Sequence, residues 1–306
     1  MNHQNQKQVI KQFKAQNLNK AFSLIELSIV ILIIGILVAG VTQSSRLVNQ
    51  FRLTSARNIT LGSPLPAIKD LALWFDAVNE RAFDSQISNG SSIAYWQDTN
   101  PHNTTQYRFI QNTVGDQPFY ASNGINGLPS IRFNSTIHTT RMFATSLGSF
   151  PRNSTIFMIM RWDTLCSSDI IASMFLGIGG EIDNVEFVIG NPNNFNFYFY
   201  PGAGNNLVGT IPKNTNYIMR RIYNSAINSS GLYLNGNLTA STTANLLGNY
   251  SNNGSTSMTL GNHPGAARTF GGLIGEFIVY NRALTNDEII DVERYLSRKW
   301  SIKLSY

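Results

Sequence analysis

The stretch Gly231-Leu232-Tyr233-Leu234-Asn235-Gly236-Asn237-Leu238-Thr239-Ala240 sets the class of this chain. Asn235-Gly236 stands between two apolar runs. Asn-Gly accepts positive φ at both central positions of a two-residue turn, so the stretch predicts a hairpin of the primed type. Upstream, Phe195-Asn196-Phe197-Tyr198-Phe199-Tyr200 repeats with period two, which puts Phe195, Phe197 and Phe199 on one face of a strand. Short runs of this kind recur at Leu71–Phe75, Pro129–Phe133, Thr155–Trp162, Ile170–Gly177, Val185–Ile189 and Tyr217–Tyr223, separated by Asn, Gly, Ser and Pro. Many short strands with no helices between them predict an antiparallel sandwich or jelly roll. The roughly 240 residues from Ala67 to Tyr306 are enough for one large β domain with its own core.

Downstream the period changes. Thr285-Asn286-Asp287-Glu288 has the spacing of a capping box, and Ile289, Val292, Leu296 and Trp300 follow at helical intervals. This predicts a terminal helix whose apolar stripe closes one end of the sandwich.

The other end of the chain has a different character. From Phe22 to Val41 runs an apolar stretch long enough, at ~1.5 Å per residue, to cross one hydrocarbon core. It holds a single charge, Glu26, and such a carboxylate costs a few kcal/mol near mid-membrane. An amine freed by cutting before Phe22 would stand four residues away, on the same helix face. A secretory signal peptide, cut near Val38-Ala39-Gly40, fits less well, because its apolar core is shorter and rarely contains glutamate.

The first twenty residues carry Lys7, Lys11, Lys14 and Lys20 and no acid, so they stay cytoplasmic and the chain beyond Val41 is exported. They also account for most of the charge. The whole chain is +6, with 23 basic and 17 acidic side chains; without those four lysines the basic count is 19. Nucleic-acid binding therefore has no support from the net charge. Thr42 to Thr60 stays helix-compatible and basic, with Arg46, Arg52 and Arg57, a composition that suits lipid headgroups. Leu61-Gly62-Ser63-Pro64-Leu65-Pro66 then breaks the helix and reads as a linker. The expected organisation is a leader at 1–21, a hydrophobic helix with its basic extension at 22–60, the linker at 61–66 and the β domain at 67–306.

The basic leader, the small residue Ala21, F-S-L-I-E-L and the apolar helix together resemble the type IV prepilin family. The resemblance implies cleavage between Ala21 and Phe22 by a prepilin peptidase and methyltransferase, which N-methylates the new Phe22 amine. It makes Phe22, Glu26 and Gly35 the assembly residues, with other pilin-like subunits as partners. Ala21 stands where the family usually has glycine, and Gln43 where many major pilins have proline. The segments L-A-L-W-F-D-A, I-N-G-L-P-S-I-R-F-N, L-Y-L-N-G and F-G-G-L-I-G-E-F-I-V-Y-N-R-A-L-T-N-D-E-I resemble laminin-G-like, concanavalin A-like jelly rolls of bacterial surface proteins. The expected fold is thus mainly β: a membrane-spanning helix, then a concanavalin A-like antiparallel β-sandwich closed by a C-terminal helix. That fold serves lectins, adhesins, glycosidases and spacers alike.

Few residues offer chemistry. Cys166 is the single cysteine, so no intrachain disulfide forms, and a lone Cys is usually a small core residue. His3, His102, His138 and His263 lack metal-ligand spacing, and no Gly-rich phosphate loop is present. No cofactor is expected. Glu181-Ile182-Asp183-Asn184-Val185-Glu186 resembles the E-x-D-x-x-E signature of jelly-roll β-glucanases, with Glu181 and Glu186 as nucleophile and acid/base. In a regular strand Glu186 would face away from Glu181 and Asp183, so aligning them needs a bulge. A polar strand edge is the simpler reading, and a calcium site a third. Tyr95, Trp96 and Trp162 are candidates for stacking on surface glycans, against the ordinary fate of burial. The expected function is a non-enzymatic pilin-like or pseudopilin-like subunit, minor or at the tip, that displays the jelly roll. It is held in the bacterial inner membrane with its globular domain in the periplasm, then passes to a pilus, pseudopilus or cell surface. The alternatives are a membrane-anchored β-glucanase-like hydrolase and a filament-borne lectin or adhesin.

Overall fold

The computed structural model describes residues 23–83, 87–134, 140–144, 153–164, 172–175, 185–190, 194–199, 206–209, 212–224, 226–227, 229–242, 258–261 and 270–306. Helix α1 runs from Leu24 to Leu61, and the chain divides within it into two compact units, one ending at Leu47 and the other beginning at Val48. In the first unit, Leu24–Val41 is an 18-residue window of mean hydropathy 2.9 with none of it buried, long and apolar enough to cross a membrane.

The second unit is built from antiparallel strands. In chain order these are β1 (Leu71–Asp76), β2 (Tyr95–Gln97), β3 (Arg108–Ile110), β4 (Phe119–Ile125), β5 (Leu128–Phe133) and β6 (Arg141–Ala144). Then come β7 (Ser154–Thr164), β8 (Ala172–Phe175), β9 (Val185–Gly190), β10 (Asn194–Phe199) and β11 (Asn206–Gly209). The last are β12 (Asn216–Asn224), β13 (Ser229–Leu234), β14 (Asn237–Thr242), β15 (Met258–Gly261) and β16 (Gly271–Tyr280), followed by helix α2 (Asn286–Trp300). The main sheet has the order β14-β13-β12-β7-β16-β5-β4, with β1 also on β16; smaller sheets run β15-β6-β3-β2 and β11-β10-β9-β8. Each strand expected from periodicity is present. Asn235 and Gly236 have φ of 51° and 88°, and Leu234 pairs with Asn237 across the turn. A second Asn-Gly hairpin, at Asn126 and Gly127 between β4 and β5, likewise has two positive φ values and carries the same signal in sequence.

The main sheet is covered on both faces, which explains why β7 reads T-I-F-M-I-M-R-W without alternation. Ile156, Met158, Met160 and Trp162 face a core shared with Trp96, Phe109, Met142 and Leu260 of the β15-β6-β3-β2 sheet. Phe157 and Ile159 face a second core with Ile289, Val292, Tyr295, Leu296 and Trp300 of α2. The terminal helix is present, but it lies across the outer face of the main sheet and not at one end of the sandwich, because its apolar stripe packs on side chains of the central strands β7 and β16. Its start is the expected capping box, with Thr285 as N-cap and Glu288 reaching back. Arg282 clamps Glu288 through two bonds of 2.7 and 2.6 Å and holds its carboxyl down at about 2.

The last turns of α1 belong to this second core. Ala56 and Thr60 are buried, with Leu53 and Ile59 packed beside them. The segment expected as a linker is anchored too: Leu65 is buried, and the Tyr280 hydroxyl donates to its carbonyl at 3.1 Å.

Strand β16 changes partners midway. Its first half pairs with β5 and its second with β1, with an irregularity between Ile274 and Glu276. The irregularity inverts the alternation, so Ile274 faces the first core but so do Phe277 and Val279. Gly275 sits at that point because the Trp300 ring lies over it; a Cβ there would collide with the indole. Gly275→Ala is expected to cost about 1–3 kcal/mol, since Trp300 is buried and cannot step aside. Urea denaturation would check this, and an unchanged midpoint would refute the packing argument.

Beside that glycine lies a buried charged cluster. Asp76 of β1 is directly opposite Glu276 of β16. The Lys299 ammonium contacts both carboxylates, at 2.7 and 2.9 Å, and all three side chains are fully buried. The Trp74 and Trp300 indoles and the Tyr295 hydroxyl each donate to Glu276, at 2.7, 2.7 and 2.8 Å. Thr60 of α1 donates to Asp76 at 3.3 Å. Burial raises the Glu276 carboxyl above its usual range, Lys299 opposes that shift and Asp76 reinforces it.

Candidate functional site

The apolar helix begins with reciprocal bonds. The Ser23 amide donates to the Glu26 carboxylate at 3.0 Å, and the Ile25 amide donates to the Ser23 hydroxyl at 3.3 Å. Both amides belong to the first turn of the described helix, where side chains commonly accept from the backbone. Ser23-Leu24-Ile25-Glu26 thus has capping-box spacing inside F-S-L-I-E-L, a local role for Glu26 beyond that of an awkward charge in an apolar run. A carboxylate at this end also meets the positive end of the helix dipole. Gly35 has nothing within 4 Å of where a Cβ would stand, so among the described residues no packing within the chain demands glycine. Ala21 and Phe22 lie outside the described residues.

Tyr95, Trp96 and Trp162 are the aromatic candidates for stacking on a glycan, with burial the ordinary expectation. Trp96 and Trp162 are fully buried in the first core, Trp96 against Phe75 with 5.4 Å between ring centroids. Neither indole presents a face to solvent, so stacking on a sugar is ruled out for both as the domain stands. The reason is strand parity: in β2 and β7 these positions point inward. Tyr95, one residue away, points outward and is half-buried, with the Arg108 guanidinium 5.2 Å from its ring centroid.

Of the candidate acids, Glu181 and Asp183 lie outside the described residues. Glu186 is placed on β9, between Phe175 of β8 and Tyr198 of β10 by register. Cys166, His3, His138 and His263 also lie outside the described residues. His102 is described, and its Nε2 is 2.8 Å from the Pro66 carbonyl. Among the described residues no three His, Cys, Asp or Glu side chains are grouped to hold a metal ion.

The loop from Asp98 to Asn103 carries no motif in sequence, yet it covers the edge of β1 that does not pair with β16. Asp98 accepts from the Trp74 amide at 2.7 Å, from the Asn100 amide at 3.1 Å and from the Asn103 side chain. Thr99 donates to the Trp74 carbonyl, Asn100 to that of Leu71 and Asn103 to that of Ala72. Bare strand edges invite pairing with other chains, and this loop occupies the edge with its own polar groups. Burial pushes the Asp98 carboxyl up to about 6 despite these bonds.

The second unit contains a cavity of about 530 Å³. It lies between α1, the β4–β5 hairpin and the end of α2, lined by Arg52, Asn123, Asn126 and Arg298 among others. In sequence Arg52 reads only as part of a basic extension, and nothing there brings Arg298 to it.

Comparison with known proteins agrees with this architecture. Residues 16–42 match the prokaryotic N-terminal methylation motif, and residues 153–290 match the concanavalin A-like lectin/glucanases superfamily. No curated protein matches the chain. Among solved structures, the receptor-binding domain of botulinum neurotoxin D is similar with a TM-score of 0.52 and 14% identity, over 75% of this chain and 53% of that one. The receptor-binding domain of botulinum neurotoxin type G gives 0.50 and 14%, over 75% and 52%. This chain therefore spans about half the length of each toxin domain, and at such identities the likeness is one of fold. The CBM40 of Ruminococcus gnavus IT-sialidase, at 20% identity over 47% of this chain and 84% of that one, has a TM-score of 0.36 and carries no argument. The chain thus joins a type IV prepilin-like N-terminal methylation motif at residues 16–42 to a β domain of which residues 153–290 match the concanavalin A-like lectin/glucanases superfamily.

Proposed function

We propose that this protein is a pilin-like subunit whose apolar helix mounts a β-sandwich binding domain on a filament. The observation that carries the reading is the junction, in one chain, of a methylation motif leading into an N-capped apolar helix and a lectin-superfamily domain. In this reading the leader is residues 1–21, prepilin peptidase cuts between Ala21 and Phe22, and the Phe22 amine is methylated. Before assembly the helix holds the subunit in the inner membrane with the β domain on the periplasmic side. In the filament it leaves lipid, and Glu26 pairs with the Phe22 amine of a neighbouring subunit, because an unpartnered carboxylate is disfavoured in an apolar core. The bulk of the β domain suits a minor or tip subunit. Binding is preferred to catalysis because a lectin-like domain accounts for the fold without requiring the acids at 181–186 to be aligned.

Mass spectrometry of the mature protein tests the first step. An N-terminal N-methylated Phe22 is expected, and a mature chain beginning at Met1 or Val41 would overturn the reading. For assembly, Glu26→Gln is expected to leave membrane insertion intact and to lower recovery in the sheared filament fraction by about tenfold or more. That drop is what loss of a buried ion pair worth more than ~1.4 kcal/mol would give. Equal recovery of variant and parent would remove Glu26 from the assembly step.

A further inference from the structure

Two arginines, Arg52 and Arg57, lie on the part of α1 that belongs to the second unit, and their surroundings contrast. Arg57 is spoken for: its guanidinium pairs with Glu80 at 2.5 Å and donates to the Val78 carbonyl at 3.2 Å. Arg52 faces the cavity described above and, among the described residues, pairs with no acid. Arg298, on α2, lines the same cavity and, among the described residues, pairs with no acid either.

The rest of the lining has the same chemistry. Ser55, Asn123 and Ser301 supply hydroxyls and an amide over an apolar floor, and among the described residues no Asp or Glu lines the cavity. The walls are fixed. The Asn126 side chain donates to the Trp300 and Ser301 carbonyls at 2.7 and 3.2 Å, which ties the hairpin turn to the end of α2. Gly127 has φ of +82°, and a Cβ there would come within 2.9 Å of an Arg52 guanidinium nitrogen, so the turn leaves room for Arg52 to lie across it. Arg52 and Arg298 both line this cavity, so one anion held in it can accept from both guanidiniums. Their planar forks match the oxygens of a phosphate-type group.

We propose that this cavity binds a phosphate-type oxyanion between Arg52 and Arg298. Two sources carry that chemistry: a lipid headgroup, since Arg52 follows the apolar window Leu24–Val41 closely in sequence, and a soluble phosphorylated ligand. Isothermal titration of inorganic phosphate into the full-length protein in nonionic detergent tests it. Saturable binding is expected, weakened about tenfold or more by Arg52→Ala and by Arg298→Ala, while Arg294→Ala, exposed on the same helix as Arg298, leaves it unchanged. Both cavity arginines are exposed, so the thermal melts of the variants should overlay that of the parent. R52K, which keeps the charge but not the fork, should fall between parent and alanine. Displacement of the phosphate by phosphatidylglycerol assigns the oxyanion to a lipid, and displacement by glucose 6-phosphate alone assigns it to a soluble ligand. No saturable phosphate binding, or binding indifferent to both alanine variants, overturns the proposal.

Discussion

Lys299→Ala is expected to destabilise the β domain by about 3–5 kcal/mol, enough to unfold a marginally stable protein. The residue sits in the last turn of α2, where a lysine is ordinarily a solvated complement to the helix dipole. Here its ammonium lies against Asp76 and Glu276, which face each other across β1 and β16, and all three are sealed from water. Removing the cation leaves two carboxylates opposite one another with no counter-charge, and desolvation then weighs against both. The hydrogen bonds from Trp74, Trp300 and Tyr295 satisfy the Glu276 oxygens but do not cancel its charge. Lys303→Ala, three residues beyond the helix and exposed, should change stability by less than about 0.5 kcal/mol. Urea denaturation of the two variants under identical conditions makes the comparison. If Lys299→Ala costs under about 1 kcal/mol, the cluster is not the electrostatic keystone inferred from its geometry. A partial recovery in Lys299→Met with Glu276→Gln is expected, because that pair of changes removes one charge of each sign.

Asp98 gives the second large effect, this time through pH. Burial raises its carboxyl from 3.8 to about 6 in the folded protein, while in the unfolded chain it returns to its ordinary value. The folded state therefore binds the proton more tightly than the unfolded state. Its contribution is most favourable below about pH 4 and is lost as pH rises through about 6. A gap of roughly two between the folded and unfolded pKa values corresponds to about 3 kcal/mol. Stability measured by urea denaturation from pH 4 to pH 7 should fall by an amount of that order from this group. Asp98→Asn should flatten the slope across the window, at some cost throughout, because the Asn103 amide would then meet a donor in place of an acceptor. An identical pH slope in parent and variant would show that Asp98 titrates normally.

How far the sequence reaches can be judged residue by residue. Asn235-Gly236 announces its hairpin because only a few residue pairs tolerate two successive positive φ values, and the backbone adopts them. Thr285 and Glu288 announce α2 for the same kind of reason: a cap is made by residues three apart. Ile289, Val292, Leu296 and Trp300 are legible as a buried stripe because a helix fixes which residues share a face. The short strands β2, β3 and β6 are not legible, since three or four residues carry too little period to stand out. Trp96 and Trp162 are readable as aromatic but not as inward, because a strand's facing depends on its partners.

What the order of residues settles is therefore local and one-dimensional: an apolar helix long enough to span a membrane, the hairpin turn, the capped terminal helix and the β class. These depend on neighbours within a few positions. Which distant residues meet is settled only when the sheets assemble. Folding sets Asp76 against Glu276 and sinks Lys299 between them; it brings Arg298 to the cavity that Arg52 faces, and it lays Trp300 over Gly275. Such meetings follow from strand order and register, which the pairing of whole sheets decides and no window of sequence contains.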